Sequence, residues 1–202
     1  MKLMPGNQAT GRQVIEAVAI GASAGGVHAL LAVLSDLPSG FRLPIIAVLH
    51  LPEGQDSLLT AIFQRRLPID VREATDKQPI APGTLYFAGP DYHLSVEMDR
   101  TFSLSCEAPV HYSRPSIDVL MVSAADAYGT GLAGILLTGA SADGAAGMDH
   151  IRQQGGLTVV QDPAEAEAAT MPQAAIRDMH PDFILPLDGI RSLLHTLDKP
   201  AP

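Results

Sequence analysis

The chain is poor in cysteine, in positive charge and in long apolar runs. Its single cysteine, Cys106, can form neither an intrachain disulfide nor a cysteine-rich zinc cage, which fits a reducing cytoplasm. Lys and Arg number 13 against 22 Asp and Glu, a formal net charge of −9. A general nucleic-acid binder needs clustered cations for its phosphate contacts, and that class is excluded. No apolar run approaches the roughly 20 residues of a membrane span. Residues Met1 to Arg12 are polar and punctuated by Gly and Pro, without the apolar stretch of a signal peptide. His111, His150, His180 and His195 have no metal-ligand spacing to another His or Cys, so no metal is expected. There is no G-x-x-x-x-G-K-[ST], and Gly21 to Gly26 is not G-x-G-x-x-G, which argues against ordinary NTPase and dinucleotide chemistry and leaves no cofactor implied.

What is present can build a core. Of the 202 residues 47% are apolar and only 17% charged, and the mean hydropathy is +0.17. That composition is not disordered. The length suits one domain, here residues 13–198 preceded by a flexible arm over 1–12.

Short Val-, Ile- and Leu-rich runs alternate with helix-period segments. Val14–Ile20, Pro44–Leu49, Leu132–Leu137 and Leu157–Val160 read as buried strands, with a weaker run at Ile69–Val71. Val27, Leu30, Leu31 and Leu34 trace one helix face; Ile117, Leu120, Met121, Ala124, Ala125 and Tyr128 trace another. Further helices are expected through Leu58–Phe63, over Gly144–Gln154 and through Ile190–Leu197, while Ala164–Ala169 reads as a short helix or an ordered loop. In the middle, Thr84–Ala88 is strand-like, and His93–Glu97 and Thr101–Ser105 alternate apolar and polar residues around Met98-Asp99-Arg100, the pattern of an antiparallel hairpin. The expected fold is α/β: a doubly wound, mostly parallel sheet with helices on both faces and an antiparallel β-hairpin at one side.

In such sheets ligands bind beyond the carboxyl ends of the strands. Three strand ends carry chemistry. The first runs into Gly21-Ala22-Ser23-Ala24-Gly25-Gly26, the second ends at His50, and Leu132–Leu137 runs into Thr138-Gly139-Ala140-Ser141-Ala142-Asp143-Gly144. A serine hydroxyl needs a base within reach, the base needs an acceptor to fix its tautomer, and the oxyanion needs donors. Gly21-Ala22-Ser23-Ala24-Gly25 fits the G-x-S-x-G nucleophile elbow, and the chain order serine, histidine, acid differs from the serine, acid, histidine order of ordinary α/β-hydrolases. Each residue also has a plainer role. Ser23 could cap a helix or line an anion loop, His50 could be a satisfied strand-end histidine, and Asp143 could N-cap the Gly144–Gln154 helix. Their joint placement at three strand ends favours chemistry. His93 reads as a loop residue entering the hairpin, and His28, on the first helix, as peripheral.

These residues carry a family resemblance. The chain resembles the catalytic domain of the chemotaxis receptor methylesterases, the CheB family, from about Val18 to Ile176. Seven segments carry it, in order: Ala19–Gly26, His50-Leu51-Pro52, Pro90–Leu94, Arg114–Leu120, Leu137–Gly147, Val160–Pro163 and Met171-Pro172. The resemblance implies a Ser23–His50–Asp143 triad. It implies hydrolysis of glutamate 5-O-methyl esters, and often deamidation of glutamines, on the cytoplasmic region of methyl-accepting chemotaxis receptors. It also sets His93 at the edge of the active site and has Ala140 contribute backbone to the oxyanion region. Ala24 and Gly25 N–H are candidate oxyanion donors. The alternatives are a serine hydrolase for another ester or amide, and a non-catalytic signalling scaffold of the same fold.

Two departures stand out. Many members have Thr where this chain has Ala24, and that hydroxyl is expected to help hold the histidine. Typical members also carry an N-terminal receiver domain, whereas only about 13 residues precede the first predicted strand. The expectation is a catalytic domain without a receiver, with a separate regulatory protein as the candidate source of control. The charge of −9 would oppose docking on acidic receptor helices, so a basic or apolar patch near Ser23, with Arg114 as a candidate, is expected.

Overall fold

A computed structural model describes residues 14–50 and 58–198. The expected arm over 1–12, and Leu51 and Pro52 of the second resemblance segment, lie outside the described residues. In chain order the elements are β1 (Ala17–Ala22), α1 (Gly26–Leu34), β2 (Ile45–Leu49), α2 (Leu59–Gln64), β3 (Asp70–Glu73), β4 (Thr84–Phe87), β5 (His93–Val96), β6 (Phe102–Ser105), α3 (Ile117–Tyr128), β7 (Leu132–Leu136), α4 (Ala145–Gln153), β8 (Leu157–Gln161), α5 (Thr170–Asp178), β9 (Phe183–Leu185) and α6 (Leu187–Leu197).

Seven strands form one sheet in the order β3-β4-β2-β1-β7-β8-β9, every neighbouring pair parallel. The strands β5 and β6 form a separate antiparallel pair. The sheet has a core on each face, as its near-continuous apolar strands require. Along β1, Val18, Ile20 and Ala22 face α1, α2 and α6, while Ala17 and Ala19 face α3, α4, α5 and the β5–β6 pair. The order reverses at β1, with β2 on one side and β7 on the other. That is the switch point at which a doubly wound sheet opens a crevice at its carboxyl end.

Three differences from the sequence reading have physical causes. The first strand runs over Ala17–Ala22 rather than Val14–Ile20, so Gly21 and Ala22 belong to the sheet. A Cβ on Gly21 would lie 2.3 Å from Ile117 Cγ2, so this end of the strand needs glycine to let α3 seat. The sequence reading had no α5 and no β9. Helix α5 is built largely from small and polar residues, with Pro172 in its first turn, and buries Met171, Ala174 and Ala175 without a long apolar stripe. Strand β9 is a three-residue edge strand whose Phe183 and Ile184 are exposed, so no alternation marks it. The Ala164–Ala169 stretch is an ordered loop: Gly139 N–H donates to Ala168 O (3.0 Å) and Ala168 N–H to Thr138 Oγ1 (2.9 Å).

Helices α3 and α4 pack closely, and the contact runs through Gly147. A Cβ there would lie 2.6 Å from Met121 Cβ and 3.2 Å from Asp118 Cα, and neither is a flexible tip that can swing aside. Gly147→Ala is therefore expected to lower the unfolding free energy by about 1–3 kcal/mol through overpacking. The check is a lower urea midpoint at unchanged m value.

Candidate active site

The ends of β1, β2 and β7 lie side by side at the carboxyl edge of the sheet. In the loop after β1, Ser23 N–H donates to Thr138 O (2.9 Å) and Gly26 N–H donates to Ser23 O (2.7 Å). Thr138 Oγ1 donates to Ala24 O (2.9 Å), so the loops after β1 and β7 are joined around Ser23. Gly25, the residue that caps α1, has φ of 76°, a left-handed conformation that favours glycine. Among the described residues the Ala24 and Gly25 N–H groups have no acceptor. Both lie at the N-terminal end of α1, where partial positive charge gathers.

His50 follows β2 directly, and its side chain is 12% exposed. Its Nε2–H donates to Asp143 Oδ2 at 2.9 Å. An ionised carboxylate only accepts, so the hydrogen sits on Nε2 and the lone pair on Nδ1. That lone pair faces Ser113 Oγ at 3.4 Å. His50 also lines a cavity of about 270 Å³ with Ser23, Gly25, Gly26, Val27, His28 and Leu49. Among the described residues no hydrogen bond joins Ser23 Oγ to the ring; the two side chains meet as walls of one cavity. His28, peripheral in the sequence reading, is part of that wall.

Asp143 is fully buried. Its plainer role as cap of the following helix is not what the fold uses, because Gly144, at φ of 95°, takes the N-cap position of α4. Asp143 instead reaches across to the N-terminus of α3. Oδ1 accepts from Ser116 Oγ (2.8 Å) and Asp118 N–H (3.0 Å), and Oδ2 from Ile117 N–H (2.7 Å). Asp118, in the first turn of α3, returns the arrangement: its Oδ1 accepts from Gly144 N–H (2.9 Å) and Gly147 N–H (2.7 Å) at the start of α4. Each helix start is thus capped by a carboxylate from the other's segment, which satisfies amides a helix end leaves unpaired.

The family model described as CheB methylesterase matches residues 18–194. The chain belongs to the CheB methylesterase family. A Leptospira interrogans protein is 44% identical over 184 residues, covering 91% of this chain and 95% of that protein. A Pyrococcus horikoshii protein-glutamate methylesterase/protein-glutamine glutaminase is 35% identical over 181 residues, covering 86% of this chain and 48% of that protein. The chain therefore spans nearly all of the first relative and about half of the second. The crystal structure of the Thermotoga maritima CheB methylesterase catalytic domain aligns with a TM-score of 0.86 at 29% identity, over 91% of this chain and 98% of that one. The parallel sheet with its separate antiparallel pair is thus the CheB catalytic fold.

The remaining residues named from the CheB resemblance take distinct places. His93 is not in a loop: it opens β5 and is buried. Its Nδ1 accepts from Ser116 N–H (3.2 Å), so Nε2–H donates to Ala108 O (3.1 Å). It stands behind the serine that holds Asp143. Ala140 is exposed in the loop between β7 and α4. Arg114 lines a smaller cavity, of about 90 Å³, with His50, Asp91, Pro109, Tyr112, Ser113 and Pro115, and its Nη1 donates to Cys106 O (3.2 Å) and Glu107 O (3.0 Å). Arg114 shares that cavity with His50 and is not among the residues that line the cavity of Ser23, where the patch was expected.

Sequence reasoning passed over Ser113, Ser116, Asp118, Thr138 and Gln161. Ser116 left a readable signal, a serine directly before an apolar helix face, and its Oγ caps α3 by accepting from Val119 N–H (3.5 Å). Gln161 Oε1, which accepts from Thr138 N–H (2.8 Å), left none, because the contact exists only when β7 and β8 pair.

Electrostatics divide the two aspartates. Burial pushes Asp143 up, but the hydrogen bonds from His50, from the Asp118 and Ile117 amides and from Ser116 outweigh it and hold the carboxyl below its usual 3.8. Burial, reinforced by the charge on Asp143, pushes Asp118 up, against the Gly147 and Gly144 amides and His111. With its folded-state pKa below the unfolded value, Asp143 adds stability above the unfolded pKa, and that stability is lost as pH falls through the folded one. Asp118 acts in the opposite sense, its penalty easing as it protonates. Asp143→Asn should lower stability at neutral pH, by about 1–3 kcal/mol for donors left unmatched. It should also flatten the acid limb below about pH 4. Urea midpoints measured from neutral pH into that range check both effects.

Proposed function

We propose that residues 13–198 form a catalytic domain that hydrolyses glutamate 5-O-methyl esters on the cytoplasmic region of methyl-accepting chemotaxis receptors, releasing methanol. By the same machinery it deamidates receptor glutamines, releasing ammonia. Membership of the CheB methylesterase family supports the first activity, and the double name of the Pyrococcus relative supports both. The reaction takes place in the cytoplasm. Consistent with that, no helix among the described residues is long and apolar enough to cross a membrane.

The observation that carries the proposal is the His50 Nε2–H to Asp143 bond, which leaves the lone pair on Nδ1 of a ring that lines one cavity with Ser23. In the proposed cycle Ser23 Oγ attacks the ester carbonyl carbon as Nδ1 takes its proton. The tetrahedral oxyanion turns toward the Ala24 and Gly25 N–H groups, which have no acceptor among the described residues. The protonated ring gives its proton to the departing methoxide, or to the departing amine when the substrate is glutamine. Water then repeats the sequence on the acyl-enzyme and restores Ser23. Throughout, Asp143 faces the positive charge that forms on His50, and the hydrogen bonds that hold it ionised at the start of α3 keep it ready for that charge. Arg114 supplies positive charge where an acidic receptor helix would approach.

Purified protein is expected to release methanol from a methylated receptor fragment, and Ser23→Ala to lower turnover by at least about 10³-fold, as loss of a nucleophile does. His50→Gln should fall comparably. Equal methanol release by parent and Ser23→Ala would remove the nucleophile assignment, and turnover of unrelated esters alone would remove the receptor.

A further inference from the structure

The stretch from Val110 to Ser113 is a strained turn beside the catalytic histidine. Ser113 N–H donates to Val110 O (2.8 Å) and Val110 N–H donates to Ser113 O (3.2 Å). Both central residues, His111 and Tyr112, have positive φ, 48° and 62°. A turn with both central residues left-handed normally takes Asn, Asp or Gly, because a Cβ is crowded there. Here a histidine and a tyrosine hold it. His111 is tied to Asp118 Oδ2 at 3.4 Å, whereas the Tyr112 side chain is wholly exposed and contributes no packing that would repay the conformation. Strain of this kind persists where the surroundings enforce it, and it gathers at functional sites.

The turn delivers one side chain to the chemistry. Ser113 Oγ lies 3.4 Å from His50 Nδ1, the nitrogen that carries the lone pair, and no other hydroxyl among the described residues bonds to the ring. His50 stands between two cavities, one shared with Ser23 and the other with Ser113. The base nitrogen is met by the Ser113 hydroxyl, while Ser23 shares a cavity wall with the same ring.

We propose that Ser113 is a positioning residue that occupies Nδ1 of His50 in the unliganded site, and that Ser23 becomes nucleophilic when its hydroxyl replaces that of Ser113 there. The proposal rests on the Ser23–His50 reading given above. The exchange breaks one O–H···N hydrogen bond and forms another, and each proton stays on its own oxygen until Ser23 attacks. Because the turn that carries Ser113 is held in an unfavourable conformation, any movement that lets His111 and Tyr112 relax offsets the loss of the Ser113 bond. Occupancy by Ser113 thus keeps the base from activating Ser23 in the absence of substrate without holding the site shut.

The experiment is the initial rate of covalent labelling of the full chain by a fluorophosphonate probe, with no receptor present. Ser113→Ala is expected to label about three- to tenfold faster than the parent, the range one such hydrogen bond is worth. Ser113→Thr, which restores a hydroxyl, should bring the rate back down toward the parent. On a methylated receptor fragment the alanine variant should lower KM at unchanged kcat, because the Ser113 bond is lost only from the free enzyme, and general loosening of the fold would not produce that split. Should alanine prevent folding, Ser113→Gly replaces it in the same comparison. A folded Ser113→Ala that labels no faster than the parent, or a threonine variant as fast as alanine, overturns the proposal. Ser23→Ala serves as the separate control. Labelling that survives in it overturns the nucleophile assignment instead, so the two failures are distinguishable.

Discussion

The buried carboxylate of Asp143 is the constraint on which the site depends. It accepts from a hydroxyl, two helix amides and the His50 ring, and it is fully enclosed. A buried charge of this kind is tolerated only when its bonds are satisfied. The start of α3 does most of that, since the N-terminus of a helix presents amides and partial positive charge together. The reciprocal bond of Asp118 to the start of α4 fixes the two helices to each other at the point where Gly147 allows them to touch. His93 extends the same assembly to the hairpin by holding Ser116 from behind. Helix packing, hairpin placement and the tautomer of His50 are therefore one linked arrangement.

The reciprocal caps place two carboxylates close together inside a protein that is already acidic. They resolve the conflict unequally. Asp143, with more donors, is held ionised, while Asp118 is pushed toward its neutral form by burial and by its neighbour. The aspartate whose ionised form is favoured is the one bonded to the histidine, where a positive charge on the ring can be met.

Much of the fold was legible because its signals are local. Continuous apolar runs such as Ile45–Leu49 and Leu132–Leu136 read as buried strands, and alternation around Asp99 read as a hairpin. Helix α5 and strand β9 escaped because neither carries a local apolar pattern: one is rich in small residues, and the other is a short exposed edge. Within the site, strand ends pointed to Ser23, His50 and Asp143. The same local view left open a plainer role for Asp143 as cap of the helix that follows it, whereas it caps a helix that precedes it in the chain.

The order of residues by itself determined that a serine, a histidine and an aspartate stand at three strand ends on one edge of a parallel sheet. It also determined that glycines open the turn after Ser23. Tertiary structure alone decided which nitrogen of His50 bonds Asp143, which helix Asp143 caps, and that the other ring nitrogen meets a hydroxyl from Ser113. These outcomes rest on pairs far apart along the chain: His50 with Asp143 at 93 residues, Ser113 with His50 at 63, and Ile117 with Asp143 at 26. Periodicity and spacing report only neighbours within a few residues. Contacts at those separations exist only once the sheet and both helix layers have closed around them.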